Sequence, residues 1–166
     1  MAAKMISTTL FEIDKKYLGH FGHLPRRKDI PTAIVIHHTC TQSPKKTRSV
    51  LKSKRYSTHY EVDKDGTIYQ YADPARVASH CKAANACAIG IDATHMEGAE
   101  FPSVQVESVC RLVRYLCAKY NILRIVKEKH DADHAIMGIY PHRALGVTKC
   151  PDNFPMERIQ EALDEM

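Results

Sequence analysis

Tryptophan is absent from the 166 residues, and so is any Cys-x-x-Cys pair. The first absence leaves sugar or base stacking to tyrosine and histidine. The second argues against a zinc ribbon or a thioredoxin-type redox site. Six cysteines, at 40, 81, 87, 110, 117 and 150, are too few and too scattered for a disulfide framework. Cys81 and Cys87, which flank KAANA, form the one pair that an oxidising compartment could bridge. No apolar run approaches the ~20 residues needed to cross a bilayer, so no membrane span is expected. The opening MAAKMISTTLFEIDKKYL lacks the apolar core of a secretory signal. Internal repeats and low-complexity tracts are also missing, which points to one domain with a single core.

A strong excess of one charge is missing as well. Lysine and arginine exceed aspartate and glutamate by five, a weak bias towards anionic surroundings. The densest run, KKTRSVLKSKR from Lys45 to Arg55, reads as a helix with a solvated basic face. Within and beside this run, Arg55-Tyr56 is the clearest interleaving of a basic residue with an aromatic, and the rest of the sequence offers little clustering of that kind, so nucleic acid is not an expected partner.

What is present is a punctuated series of short apolar runs. Residues 1–29 read as a basic lead-in that ends near LPRRKDIP, and 30–166 as the folded domain. AIVIH, Ala33 to His37, has the β-branched character of a buried strand. HYEVDKDGTIYQY, His59 to Tyr71, reads as a hairpin turning at Gly66. AIGIDA, Ala88 to Ala93, is another buried strand, and it carries Asp92 where a carboxylate needs a reason. SVQVESVCRLVRYLCAKY, Ser103 to Tyr120, has helical spacing, Ser103 as candidate N-cap, and Cys110 and Cys117 on its buried face. A strand to Tyr140, a loop, and a closing helix from Met156 to Leu163 follow. The expected class is α/β: one domain with a central mixed sheet flanked by helices.

Ten histidines supply the candidate chemistry. Zinc accepts imidazole nitrogen and thiolate alike, and a catalytic site needs three protein ligands with a fourth position open. One histidine at a strand end, with a histidine and a cysteine from one loop, satisfies that count. His130 and His134, four apart in KHDADH, are a rival pair without a third local donor, and read as surface or supporting residues.

Four segments, IVIHHT, STHYEVDKDGTIYQY, AIGID and PHRALGVTKCPD, resemble in this order the zinc-dependent N-acetylmuramoyl-L-alanine amidases, which include phage endolysins and peptidoglycan recognition proteins. The resemblance spans roughly Ile30 to Pro155. It implies one zinc ion held by His37, His142 and Cys150, with His38 turned to the other side of its strand or, in the reversed assignment, taking the place of His37. The family's proton shuttle is either a tyrosine at the position of Thr58, which cannot play the part, or a glutamate at the position of Asp92. The resemblance therefore implies Asp92, one methylene shorter. Thr148 takes the place of a group that hydrogen-bonds the substrate carbonyl, Lys149 beside it reads as solvated, and His80 and Asn85 fall where relatives line the substrate cleft. His59 reads as packing under the sheet. The implied activity is hydrolysis of the amide between N-acetylmuramic acid and L-alanine, with peptidoglycan or a muropeptide as partner. A monomer made in the cytoplasm and reaching the wall by release or delivery is expected; the alternative is a non-catalytic muropeptide-binding protein.

Overall fold

A computed structural model of the protein describes residues 11–166. Strand β1 is Ile13–Asp14, β2 Ala33–His38, β3 Tyr60–Val62, β4 Ile68–Gln70, β5 Ala88–Ala93 and β6 Gly138–Pro141. Helix α1 is Pro44–Ser53, α2 Ser103–Tyr120 and α3 Met156–Asp164. The strands form one sheet in the order β1-β4-β3-β5-β2-β6. Only β3 and β4 are antiparallel, as a hairpin requires. This is the mixed α/β sheet that the pattern of short apolar strands and separate helices predicts.

Strand alternation divides the chemistry from the core. Ile34 and Ile36 of β2, Ile89 and Ile91 of β5, and Tyr60 and Val62 of β3 join Val109, Leu112, Val113 and Leu116 of α2 and Ile159 of α3 in the main core. Cys110 and Cys117 lie in it too, as small buried hydrophobes. On the alternate positions, His37 pairs with Asp92 and Asp92 with Glu61, one row running across β2, β5 and β3. A smaller cluster of Ala33, Val35, Cys81, Ala84, Ala88 and Tyr140 supports the same side of the sheet.

Local signals explain most boundaries. Ser43 caps α1 by accepting from the Lys46 N–H at 3.3 Å, and Pro44 follows it, where a missing donor costs nothing. Gly66, at φ +86°, turns the β3–β4 hairpin; a side chain there would also meet Ser108 Oγ at 2.8 Å. Ser103 is not the cap of α2. The extended Pro102 takes that position, and its carbonyl accepts from the N–H groups of Gln105 and Val106. Ser103 is thereby drawn into the first turn.

Two further expectations change. The lead-in is part of the fold from Phe11 on, since β1 lies parallel to β4 and Phe11 packs against the main core. The basic run Lys45–Arg55 does not present a uniformly solvated face, because Arg48 is buried with its guanidinium 3.6 Å from the centre of the Tyr17 ring. A planar, weakly hydrated cation can be covered in this way where an ammonium would resist. The cysteines at 40, 81, 87, 110, 117 and 150 are all free thiols, so Cys81 and Cys87 are unbridged.

Arg27 ties the lead-in to the site side of the sheet. Its buried guanidinium donates to the carbonyls of Pro74 (2.7 Å), Ala86 (2.8 Å), Arg76 (3.0 Å) and Ala88 (3.1 Å). Removing it strands several carbonyls that water cannot easily reach. Arg27→Ala should cost at least ~3 kcal/mol, read as a lower urea midpoint at unchanged slope; a loss within ~0.5 kcal/mol would show that the carbonyls find other donors.

Candidate metal centre

His37 stands one residue from the end of β2, and β6 runs parallel beside it with Ile36 paired to Pro141. The next step along both strands brings His37 beside His142, the first residue of a short 3-10 turn, His142–Ala144. The loop then returns Cys150, anchored by the Arg143 N–H donating to the Cys150 carbonyl at 2.7 Å. One donor atom each of His37, His142 and Cys150 lies within 4.8 Å of the others. The Nδ1 atoms of His37 and His142 are 3.2 Å apart, and Cys150 Sγ is 3.8 Å from His37 Nδ1. Around one tetrahedral zinc, N···N and N···S edges of about 3.3 and 3.6 Å follow from ordinary bond lengths. The three residues therefore fit such an ion.

The surroundings orient these donors. His37 Nε2 is 2.9 Å from His80 Nδ1, and His80 Nε2 is 3.4 Å from the Ala88 carbonyl oxygen. A carbonyl can only accept, so it sets one consistent arrangement: His80 donates from Nε2 and accepts at Nδ1 from His37 Nε2–H. The His37 Nδ1 lone pair is then left facing the cluster. His59, fully buried, is locked likewise: its Nδ1 accepts from the Gly90 N–H at 3.0 Å and its Nε2 lies 2.9 Å from the Arg76 carbonyl oxygen. His38 contributes its backbone, donating N–H to Cys150 Sγ at 3.3 Å. Its ring is turned to Cys40 Sγ at 3.0 Å and to His95, so it is His37 that joins the cluster.

Burial sets the protonation states. It holds His37 well below the usual imidazole value, reinforced by His80, His142 and His38, and holds His80 down to about 3, with His59 adding to the effect. Both rings are neutral, as metal ligation and its support require. Burial also pushes the Cys150 thiol up to about 12 despite the His38 N–H, so a cation must displace its proton to bind sulfur. Asp92 lies well above the carboxylate range, first through burial and then through Glu61.

Of the other expected site residues, His80, Asn85 and Asp92 line one cleft of about 600 Å³ together with His37 and His142, whereas Thr148 is not part of its lining. Asn85 Oδ1 accepts from the N–H groups of His80 (3.0 Å) and Cys81 (2.7 Å), so its oxygen shapes the loop and only Nδ2 remains for a ligand. Thr148 is exposed on the ligand loop, its Oγ1 accepting from the Cys150 N–H at 3.1 Å. Lys149 is exposed. His130 and His134 stay apart from the cluster: His134 is exposed and bonded to Asp131, and His130 packs edge-on to Tyr140.

Sequence reasoning missed Glu61. Fully buried, it accepts from the hydroxyls of Thr47 and Thr94 at 2.7 Å each and from the Tyr71 hydroxyl, and it lies next to Asp92 in the strand row. A carboxylate between Tyr60 and Val62 in a predicted strand was the available signal. Asp152 is a second omission. Its carboxylate joins His95 Nε2 (3.0 Å) and the Gly98 N–H (2.9 Å), bracing the chain just after Cys150.

A mixed sheet with two imidazoles and a thiol gathered at one end of its β2–β6 pair makes this an α/β domain with a candidate metal centre. Residues 26–153 match the amidase type 2 family, described as N-acetylmuramoyl-L-alanine amidase, and the chain belongs to that family. It is similar to the N-acetylmuramoyl-L-alanine amidase LysC of Clostridium intestinale, with 28% identity and a TM-score of 0.70 over 93% of this chain and 99% of that one. The endolysin amidase LysCS of the same organism shows 27% identity and a TM-score of 0.69 over 92% and 95%. The Ph2119 endolysin from a Thermus scotoductus bacteriophage, at 19% identity and a TM-score of 0.71 over 91% and 98%, shares the fold. A Rickettsia conorii protein that bears the name of the same amidase is 28% identical over 117 residues, and the match spans 64% of this chain but only 43% of that relative.

Gly90 makes the histidine relay testable. A Cβ there would stand 2.7 Å from His80 Cγ, so Gly90→Ala should push the His80 ring off His37 and weaken zinc affinity ~10-fold or more in a chelator competition. Unchanged affinity would show that His80 does not hold His37.

Proposed function

We propose that this chain is a zinc-dependent amidase that hydrolyses the bond between the lactyl group of N-acetylmuramic acid and the L-alanine of the peptidoglycan stem. The observation that carries the proposal is the meeting of His37 Nδ1, His142 Nδ1 and Cys150 Sγ at ligand spacing, in a chain of the amidase type 2 family. When bound, zinc polarises a carbonyl and lowers the pKa of water to about 7.

The protein's own residues do the rest. His80 holds His37 in the tautomer that turns Nδ1 inward. Asp92, on the cleft side of the sheet and one strand from His37, is the group that holds the proton needed by the departing nitrogen; no hydrogen bond to another group occupies its carboxyl among the described residues. An amine leaves readily only when protonated in the same step, so a positioned acid is worth a large factor in rate. Thr148, whose oxygen is oriented by the Cys150 N–H, keeps its hydroxyl proton to donate to the substrate carbonyl oxygen. The cleft is walled by Val50, Leu51, Tyr56 and Leu145 as well as by polar groups, a mixture suited to a peptide stem attached to a sugar. Residues 30–166 carry the catalytic groups on a sheet that the lead-in completes through β1 and Arg27, and the proposed substrate sets the site of action at the bacterial wall.

Two results test this reading. Chelation should abolish, and zinc restore, release from purified peptidoglycan of stem peptides bearing a free L-alanine amino end, identified by mass spectrometry. Binding without release would leave a recognition protein in its place, and chelator-insensitive release would remove the metal. Asp92→Asn should retain zinc while losing 10²-fold or more in kcat; an unchanged kcat would assign the proton to another group.

A further inference from the structure

Helix α1 has two working faces. Thr47, Val50 and Leu51 line the amidase cleft. Lys45, Arg48, Ser49, Lys52 and Ser53, together with His20, line a separate open depression of about 460 Å³. Three cations, two hydroxyls and an imidazole thus converge outside the candidate metal centre.

Among the described residues these cations have no acidic partner. None of the ion pairs among the described residues involves Lys45, Lys46, Arg48, Lys52, Lys54 or Arg55, and the ten residues before Phe11 contain no carboxylate. Arg48 is held rigidly, over Tyr17 at 3.6 Å and within 3.4 Å of the Tyr71 hydroxyl, although it is 91% buried on the exposure of 9%. With one long neutral hydrogen bond among the described residues, this guanidinium has donor capacity left for an anion in the depression it lines. The half-buried His20 ring lies against the Arg48 backbone, and its buried Nε2 makes no close hydrogen bond among the described residues, so it has capacity for a ligand oxygen.

We infer that this depression binds the phosphate groups of a phosphodiester-linked polyol polymer, of the kind that decorates bacterial walls. Phosphate chemistry follows from a planar guanidinium, two ammonium groups and two hydroxyls around one concavity. A polymer follows from further positive charge on and just past the helix, at Lys46 within α1, Lys54 at its C-cap and Arg55 beyond. Nucleic acid is the less suited polyanion, because base recognition without sequence needs aromatic faces free for stacking. At the depression Tyr17 is already covered by Arg48 and Tyr71 is fully buried, and the exposed Tyr56 beside Arg55 belongs to the cleft instead. Because the two faces belong to one helix, polymer held on the outer face would keep the cleft at the wall. Only the choice of a wall source rests on the proposed amidase function.

The test is direct binding of the full chain to poly(glycerol phosphate), with a single-stranded DNA of equal phosphate number as the second arm. Lys45→Glu with Lys52→Glu changes exposed residues and should leave the thermal melt unaltered. This pair should weaken polymer binding at least tenfold and lessen the slope of log affinity against log salt by roughly 1.5. The control pair, Arg124→Glu with Lys129→Glu, makes the same change in net charge beside β6, at the opposite edge of the sheet, and should bind like the parent. His20→Ala should weaken binding without changing charge at all. Equal losses in the two charge pairs, or no polymer binding by the parent, would overturn the site. DNA binding as tight as polymer binding would overturn the wall polymer as ligand. None of these readouts depends on turnover, so a failure here is separate from a failure of the amidase reading.

Discussion

The parallel pairing of β2 with β6 is the contact on which the candidate metal centre depends. Residues 37 and 142 are more than a hundred positions apart, yet the pairing of Ile36 with Pro141 puts them side by side at the sheet's end. A slip of one residue in that register would turn His37 to the helix-covered face. The register is held by burial: Ile34 and Ile36 point into the main core, while Ala33 and Val35 fit the smaller cluster on the other side. Hydrophobic packing on one face thus decides where nitrogen atoms stand on the other.

The same burial prepares the donors for a cation. Desolvation disfavours charged imidazole and thiolate alike, which keeps lone pairs on the histidines but keeps the proton on Cys150 until positive charge arrives. The carbonyl of Ala88 acts through His80 to choose which nitrogen of His37 is bare. Close approach of His80 to the strand is allowed by Gly90, where any side chain would collide with the ring. His59 and Arg27 hold the neighbouring backbone, so the lead-in contributes to the site's rigidity without touching the cluster.

Carboxylates on the cleft side are treated unequally. Glu61 is surrounded by three hydroxyl donors, which compensate part of the cost of burying charge. Asp92, in the same row, has no such donors among the described residues and remains open to the cleft. Thr47, reaching Glu61 from α1, also fixes the helix whose outer face bears the unpaired cations. One buried carboxylate thereby couples the wall of the cleft to the basic depression.

The fold class, the hairpin at Gly66, the long helix α2 and the gathering of His37, His142 and Cys150 were legible in the chain, because each rests on local periodicity or on motifs in a recognisable order. The missed contributions are of another kind. Glu61 and Asp152 act through partners 10 to 57 residues away, Arg48 is buried by an aromatic ring from the lead-in, and Pro102 displaces Ser103 as cap through its backbone conformation. Residue types marked which side chains had the chemistry to bind a metal, the resemblance of ordered motifs chose His37, His142 and Cys150 among them, and periodicity marked which segments had to be buried. Only the tertiary structure decided which nitrogen of each histidine faces inward, which carboxylate is satisfied and which cations are left without a counter-charge, since those properties belong to distances between segments that no local pattern encodes.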